Sequence, residues 1–393
     1  MRRLLLLVCV VVCVDTMLYA ALTPLLPHFA HELGLSKARA GVLVAAYAGG
    51  ALVGGIPGGI AAARLGARRS VLLGLALMGC ASLGFAFAGG FWGLVAARLL
   101  QGGGSAFTWA GAFAWLLAAA PRERRGQLIG TAMGSAVFGA LLGPVVGAAA
   151  ALAGQRAVFA ALAGLAVVLG AWALRLDDAP RAAASPTALG RALRSPVLLS
   201  GLALMSLPAL LFGVLSTLGP LHLSASGWTA AEIGGIWLVS AAIETAVSPL
   251  AGRVSDRRGA FVPVRIALVA GVLVSLALAA GPRPLLYAPL IVLAGGAYGT
   301  LFTPAFTLIA DGADHAGMPQ GMAFGLMNAA WATGALVGPA AGGAIAAASG
   351  DVVPYVVAAG LCAVSLALAR SRHDRAAVLV DGLPRDAAGV GRE

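Results

Sequence analysis

The sequence predicts an all-α integral membrane protein with twelve transmembrane helices, arranged as two six-helix bundles related by a parallel pseudo-repeat. Three observations predict this fold: a very low charge content, long apolar runs along the whole chain, and two motifs that occur twice. Apolar residues make up 60% of the 393 residues and charged residues 10%. Soluble domains carry about 25% charged residues, so this surface suits lipid and not water.

The apolar runs are each long enough to cross a hydrocarbon layer of about 30 Å. Lipid does not tolerate unpaired strand edges, and the runs lack the alternating polarity of barrel strands, so they are predicted to be helices. The first run follows Arg2 and Arg3 and carries Asp15, which indicates an uncleaved helix and not a signal peptide. The predicted helices are Leu4–Pro27, Ala38–Ala63, Ser70–Ala88, Phe91–Ala120, Gly126–Ala153, Gln155–Leu176, Pro196–Leu221, Thr229–Val254, Phe261–Ala280, Pro284–Ala310, Pro319–Ala348 and Val352–Arg370.

The basic residues are distributed unevenly between the two sides of the predicted membrane. The N-terminus, the even-numbered connections and the tail hold 21 of the 26 Lys and Arg residues, whereas the odd-numbered connections hold four. The positive-inside rule therefore predicts a multi-pass protein of the cell (inner) membrane with both termini in the cytoplasm. This topology accounts for the net charge of +11, so no nucleic-acid partner is expected.

The longest polar connection falls at the middle of the chain and divides it into two halves. We predict an N-terminal six-helix bundle (residues 1–176), a cytoplasmic linker (177–195), a C-terminal six-helix bundle (196–371) and a cytoplasmic tail (372–393). Two motifs recur between the halves at spacings of 193 and 195 residues. An even number of helices per half makes the repeats parallel, which is the architecture of two bundles that rock about a midplane site.

The first repeated motif is a basic turn after the second and eighth helices. An acid in this turn can sit at the positive N-terminus of a helix in the opposite bundle and latch the cytoplasmic side. The first copy has Ala63 where the second has an acid, so the latch is predicted to be asymmetric; alternatively, the motif is only positive-inside charge with turn glycines. The motif residues are Gly59, Arg64 and Gly66 in the first copy and Gly252, Asp256, Arg257 and Gly259 in the second.

The second repeated motif places a Gly-Pro pair inside the fifth and eleventh helices. Glycines four residues apart allow close helix packing, and the proline bends the helix. The motif residues are Gly139, Gly143, Pro144 and Gly147 in the fifth helix and Gly334, Gly338, Pro339 and Gly342 in the eleventh.

Ionisable residues inside the spans mark the candidate functional site. Asp15 lies eleven residues from the inner end of the first helix, roughly 17 Å at 1.5 Å per residue and so near the midplane. Glu244 on the eighth helix is a second midplane acid, which either binds a proton or cation or bonds to a neighbouring helix. Arg98 and Gln101 are one turn apart on the fourth helix. A guanidinium there faces a cavity or a partner, or is held by backbone carbonyls.

The chain resembles the major facilitator superfamily and, within it, the twelve-helix drug:proton antiporter group. The resemblance covers nearly the whole chain. It rests on the two repeated motifs, on the first helix with Asp15 and Tyr19, and on the fourth-helix pattern Arg98-x-x-Gln101-Gly-x-Gly-x-Ala. The chain departs from the family's loop signature at Ala63, where that signature has Asp. It also departs from similar amine transporters at Asn328, where they have Asp.

The resemblance implies a secondary active efflux transporter that works by alternating access. It would exchange protons for a small hydrophobic compound, neutral or cationic. The direction implied is export, because the fifth-helix Gly-Pro motif is similar to that of exporters. The implied proton-coupling residues are Asp15, Arg98 and Glu244. Candidate substrate-binding residues carry an aromatic ring or an amide within a span, and each aromatic residue can equally serve packing alone. They are Tyr19, Gln101, Trp109, Phe324, Asn328 and Trp331.

Two alternatives stay open at this point. The first keeps the fold and changes the task to proton-coupled transport of a sugar or another metabolite. The second is a membrane-embedded enzyme or receptor, which would need a catalytic constellation or a soluble domain that the short connections do not offer. No P-loop and no ligand-spaced His or Cys residues are present, so neither a cofactor nor a metal is expected. The expected partners are protons, a small-molecule substrate and the lipid bilayer, with the chain acting as a monomer.

Overall fold

The computed structural model describes residues 1–121, 125–178, 190, 193–259, 261–281, 283–318 and 320–381. The side chains of Asp256 and Phe324, both predicted site residues, lie outside the described part. The helices in chain order are α1 (Arg2–Ala20), α2 (Leu22–Glu32), α3 (Lys37–Arg64), α4 (Ala67–Phe87), α5 (Phe91–Ala119), α6 (Arg125–Ala153), α7 (Gln155–Leu174), α8 (Pro196–Ala225), α9 (Ala230–Arg258), α10 (Phe261–Ala279), α11 (Pro284–Gly299), α12 (Phe302–His315), α13 (Gln320–Ser349) and α14 (Val352–Asp381).

These helices form a multi-pass membrane fold. Within the described residues, eleven segments are long and apolar enough to cross a membrane, with α1–α2 and α11–α12 each counting as one. α5 falls outside that set because Arg98, Gln101 and a run of three glycines interrupt its apolar sequence. It is nevertheless 29 residues long and packs between α3 and α4, so it forms the remaining span.

Two spans that were predicted as single helices are each interrupted in the structure by one or two residues, whose backbone stays in the helical region. The first span changes from α1 to α2 at Ala21, and the tenth changes from α11 to α12 at Thr300 and Leu301. In each case a proline follows within four residues, Pro24 in the first span and Pro304 in the tenth. Proline has no N–H for the carbonyl four residues earlier, and its ring crowds that carbonyl.

The last helix, α14, continues to Asp381, past its predicted end at Arg370.

The pseudo-repeat is visible in matching contacts within the two halves. α6 packs on α1, and α13 packs in the same way on α8. The Thr16 hydroxyl of α1 donates to the Ala136 carbonyl of α6 at 2.8 Å. Its counterpart is the Ser206 hydroxyl of α8, which donates to the Ala330 carbonyl of α13 at 2.7 Å. The repeated Gly-Pro motifs thus pack the fifth span on the first and the eleventh on the seventh.

Each half has its own apolar core. The buried residues of the first core all come from α1 to α7, and those of the second lie between Leu211 and Cys362. A small cluster of Ala48, Ala209 and Ala335 lies between the halves. Across the boundary, α3 packs against α13 and α6 against α9. At this boundary the larger side chains of Phe302, Trp331 and Leu336 pack against the three buried alanines.

The two halves meet most tightly at the face that carries Lys37, which we call the Lys37 face. The Lys37 ammonium pairs with the Asp351 carboxylate of the other half at 2.5 Å. Just below, Gly41 lies against the Pro339 carbonyl and the Gly343 backbone, with no room for a Cβ atom. At the other ends of these helices, Gly55 and Gly59 of α3 and Gly325 of α13 have no described atom within 4 Å of a Cβ position. The halves are thus in backbone contact at the Lys37 face, whereas these three glycines at the opposite ends make no close contact with the described residues.

The first basic turn is braced by an acid from another part of the chain. Gly66 begins α4 with a φ of 103°, a conformation that favours glycine. The Asp178 carboxylate accepts a hydrogen bond from the Arg68 backbone N–H at 3.2 Å, at the N-terminus of α4. Asp178 thus supplies a carboxylate to the turn in which Ala63 lacks one. The second copy turns at Gly259, whose φ is 82°.

Candidate functional site

The centre of the N-terminal half contains the buried carboxyl group of Asp15 on α1, of whose surface 2% is exposed. Its Oδ2 atom accepts three hydrogen bonds, from the Tyr47 hydroxyl at 3.1 Å, the Ser105 hydroxyl at 2.8 Å and the Trp109 indole N–H at 2.6 Å. Its Oδ1 atom is buried and has no partner among the described residues. One carboxylate oxygen is therefore saturated, whereas the other can bind a proton.

Arg98 on α5 is buried beside the end of α1. Its Nη1 atom donates to the Leu18 carbonyl at 3.0 Å and to Gln101 Oε1 at 2.8 Å, and its Nη2 atom donates to the Tyr19 carbonyl at 3.2 Å. Both carbonyls belong to the last turn of α1, so the guanidinium caps the negative end of that helix. Of the two alternatives, the structure shows the arginine held by backbone carbonyls. No ion pair joins Arg98 to Asp15 in the described part of the chain.

Tyr47 on α3 connects the two buried charged groups. The Arg98 guanidinium carbon lies 4.8 Å from the centroid of the Tyr47 ring, within the range of a cation–π contact. The hydroxyl of the same ring donates to Asp15. A change at either charged group can therefore reach the other through one side chain.

Aromatic rings extend this centre across the boundary between the halves. The Tyr19 ring lies 5.1 Å from Tyr47 and 5.1 Å from Trp331 of α13, measured between centroids. Trp109 stacks on Phe113 at 5.5 Å. Tyr19 and Trp331 are thus a direct contact between the Asp15 region and the C-terminal half.

Glu244 lies near the middle of α9, against the break between α11 and α12. A Cβ atom on Gly299 would meet the Glu244 side chain, so this glycine leaves the space that the carboxyl group occupies. The side chain is half-buried. No hydrogen bond or ion pair joins its carboxyl group to any described residue, so a bond to a neighbouring helix is absent there.

Of the other predicted substrate residues, Gln101 and Trp109 bond to the buried charged groups, whereas Asn328 does not. Gln101 is buried and accepts from Arg98, so it is part of the scaffold around the guanidinium. Trp109 binds Asp15 directly. Asn328 is half-buried on α13, one turn before Trp331, and its side chain makes no hydrogen bond to another described residue.

Sequence reasoning missed Tyr47 and Ser105 as ligands of Asp15. Ser105 has a signal in the sequence, because Arg98, Gln101, Ser105 and Trp109 recur at the spacing of one helix face. Tyr47 has none, because it lies on a different span and reaches Asp15 only through the packing of α3 on α5.

Membrane-crossing helices in two halves, closed at one face and with a polar centre in the N-terminal half, define a membrane transporter of small molecules and not an enzyme. The sequence pattern of the Major Facilitator Superfamily matches residues 8–321. The chain belongs to the Major Facilitator Superfamily.

Curated relatives agree with this family, and a solved structure shares the fold. The chain is 35% identical over 172 residues to a probable vesicular acetylcholine transporter-B of Danio rerio, over 41% of this chain and only 35% of that protein's length. It is 27% identical to the uncharacterised MFS-type transporter YcaD of Escherichia coli O139:H28, over 76% of this chain and 78% of that protein. A crystal structure of a bacterial homologue of the human lysosomal transporter Spinster, inward-facing and occupied, has a TM-score of 0.74 at 16% identity and covers 97% of this chain and 98% of its own.

Proposed function

We propose that this protein is a secondary active efflux transporter of the drug:proton antiporter type. It exchanges protons for a small hydrophobic compound, neutral or cationic, by alternating access. Both termini, the linker (residues 177–195) and the tail (372–393) lie in the cytoplasm, as the 21-to-four distribution of basic residues indicates. The Lys37 face is then the outer one, and the arrangement described above is open to the cytoplasm.

The observation that carries this proposal is the unequal treatment of the two oxygens of Asp15. Three donors converge on Oδ2, whereas Oδ1 is buried without a described partner. A carboxylate at this depth is costly when charged, so a proton on Oδ1 stabilises the closed state. A proton can drive a transport cycle only if it binds the alternating states differently. The Tyr19 ring contacts both Trp331 of the other half and Tyr47, which donates to Oδ2, so rocking of the two halves changes the surroundings of Asp15 and supplies that difference.

The test is transport by the purified protein in lipid vesicles with an imposed pH gradient. Asp15→Asn mimics the protonated group permanently and should abolish proton-driven efflux of lipophilic dyes, while exchange without a gradient continues. Glu32→Gln is the matched control, because that acid is exposed and pairs only with His28 of its own helix. Wild-type proton-driven efflux in the Asp15 variant would exclude Asp15 as the coupling group. Movement of sugars and not of dyes would favour the metabolite alternative.

A further inference from the structure

We propose that the lipid-facing side of the N-terminal half binds one anionic phospholipid of the cytoplasmic leaflet, in a groove between α4 and α7. Three features carry this inference: the length and apolar lining of the groove, two exposed arginines at one end of it, and a hydrogen bond that holds the two helices together at that end. The inference rests on the proposed topology and is independent of the direction and the cargo of transport.

The groove between α4 and α7, which we call the α4–α7 groove, has a volume of about 460 Å³. On α4 it extends from Leu72 to Leu83, eleven positions along the helix, or roughly 17 Å at 1.5 Å per residue. One leaflet is half of the hydrocarbon layer, about 15 Å. The groove therefore has the length of an acyl chain in one leaflet. Its lining includes Leu72, Ala76, Cys80 and Leu83 on α4 and Gly164 and Gly170 on α7.

The floor of the groove is packed, whereas its outer side is open. Below the groove, a Cβ atom on Gly79 of α4 would lie 3.5 Å from the Cβ atom of Ala166 on α7, which is ordinary contact. A Cβ atom on Gly164 would meet no described atom within 4 Å. Leu83 and Val167 line the groove and are exposed. In a membrane span, an exposed apolar surface faces lipid, so an acyl chain can enter from the side.

Two exposed arginines lie at one end of the groove. Arg69 precedes Leu72 and Ala76 by three and seven residues, so it shares their face of α4. Arg175 directly follows α7 with a helical backbone and comes eleven residues, or three turns, after Gly164. Both arginines are exposed, and neither forms an ion pair with a described residue.

A hydrogen bond brings the two arginine-bearing helix ends together. The Arg68 guanidinium donates to the Leu176 carbonyl at 3.0 Å, and the neighbours of these two residues are Arg69 and Arg175. The nearby Asp178 carboxylate is directed to the N-terminus of α4, where it accepts from the Arg68 N–H. Segments 64–69 and 175–178 together hold four arginines and two acids, a net charge of +2. The end of the groove is therefore positive, at the side that the topology places in the cytoplasm.

An anionic phospholipid complements both parts of this surface. Guanidinium groups bind phosphate oxygens with two parallel hydrogen bonds. Basic pockets between membrane helices on the cytoplasmic side bind anionic headgroups. A second copy of this chain fits less well, because its own cytoplasmic side is also rich in arginine and like charges repel. A comparable groove of about 260 Å³ lies between α10 and α14 in the other half. There Val262 stands at the position of Arg69 by the repeat spacing of 193 residues.

The experiment is photolabelling of the full-length protein in phosphatidylcholine nanodiscs. The probes are phosphatidylglycerol and phosphatidylcholine with the same acyl chains, each with one diazirine group in a chain, and mass spectrometry locates the label. The α4–α7 groove should be labelled about tenfold more by the anionic probe. Arg69→Gln combined with Arg175→Gln should reduce this preference to about twofold or less. Gly164→Leu fills the groove without a clash and should reduce labelling by both probes severalfold.

Two variants are matched controls and should label as the wild type does. Arg156→Gln removes an exposed arginine at the opposite end of α7. Gly360→Leu adds a side chain at an exposed glycine of α14 that also has open space around its Cβ position. Inorganic phosphate added in excess should leave the labelling unchanged, because the acyl chain provides part of the binding.

Several results would overturn the proposal. They are equal labelling of the groove by the two probes, an unchanged preference in the double arginine variant, or unchanged labelling in Gly164→Leu. Loss of the preference in the presence of phosphate would show that the arginines bind a free anion. Two protein copies per nanodisc with the groove protected would assign it to a dimer interface. Because labelling requires no transport, failure of proton-driven efflux would reject the proposed function and leave the lipid site standing.

Discussion

The two halves share a fold but hold their central acids in opposite ways. In the N-terminal half, Asp15 is buried, its Oδ2 atom receives three hydrogen bonds, and Tyr47 links it to Arg98. In the C-terminal half, Glu244 is half-buried and has no described hydrogen-bond partner. The matching contacts of Thr16 and Ser206 show that the scaffold is repeated, whereas the chemistry at its centre is not. The repeated frame thus holds its two central acids in unlike surroundings.

The largest expected effect comes from replacing the arginine of the N-terminal half. Arg98→Lys removes the planar fork that reaches two carbonyls and Gln101 together. Hydrogen bonds to charged groups contribute about 1.5–3 kcal/mol each, so the free energy of unfolding should fall by roughly 3 kcal/mol. Proton-driven efflux should fall by more than about 30-fold. Thermal unfolding in detergent and vesicle transport measure both quantities. Arg265→Lys is the control, since Arg265 reaches one carbonyl, that of Ala369. Equal effects in the two variants would contradict the proposed difference between the halves.

Removing one donor from Asp15 should have a smaller effect. Tyr47→Phe keeps the ring below Arg98 and deletes only the hydroxyl that bonds to Oδ2. The loss of one hydrogen bond to a charged group, about 1.5 kcal/mol, corresponds to roughly a tenfold slower proton-driven efflux. Initial rates in vesicles at a fixed pH gradient measure it. Tyr287→Phe in the other half, which removes a hydroxyl bonded only to Tyr355, should stay near the wild-type rate. A rate in Tyr47→Phe equal to that control would show that the hydroxyl does not act on Asp15.

A methyl group added next to Glu244 should shift the acid without removing its charge. Gly299→Ala places a Cβ atom where the Glu244 side chain now lies, and that flexible side chain must move aside. We expect proton-driven efflux in vesicles to slow about threefold, close to 0.7 kcal/mol. Gly296→Ala is the matched control one turn earlier, where the added atom would make ordinary contact with Ile243 at 3.4 Å. Efflux rates that are the same in both variants would argue that the exact position of Glu244 is unimportant.

The smallest expected effect concerns the ion pair that joins the halves at the Lys37 face. Both side chains are partly exposed, so the pair contributes only about 0.5 kcal/mol to closure. Asp351→Asn should therefore shift the equilibrium between closed and open forms of this face about twofold. Spin labels at Arg39 and Ser349, both exposed there, report the distance distribution. A complete loss of the closed population would mean that the ion pair, and not backbone packing, holds the face shut.

Sequence reasoning located the spans, the two acids within them and the Arg98–Gln101 pair, because apolar run length and one-turn spacing are local properties. It did not locate the breaks at Ala21 and Thr300, since a proline in a membrane helix can bend the helix or interrupt it, and neighbouring helices decide which. Tyr47 was missed because its contact with Asp15 joins residues 32 positions apart.

The backbone contact at the Lys37 face also bears on how well the protein insulates an energised membrane. Gly41 meets the Pro339 carbonyl with no side chain between the helices, so a continuous file of water molecules has no space there. A transporter with ionisable groups at its centre would otherwise short-circuit the membrane potential by conducting protons along such a file. Larger residues at Gly41 or Gly343 would separate the helices, and the expected result is a steady leak of protons across the membrane.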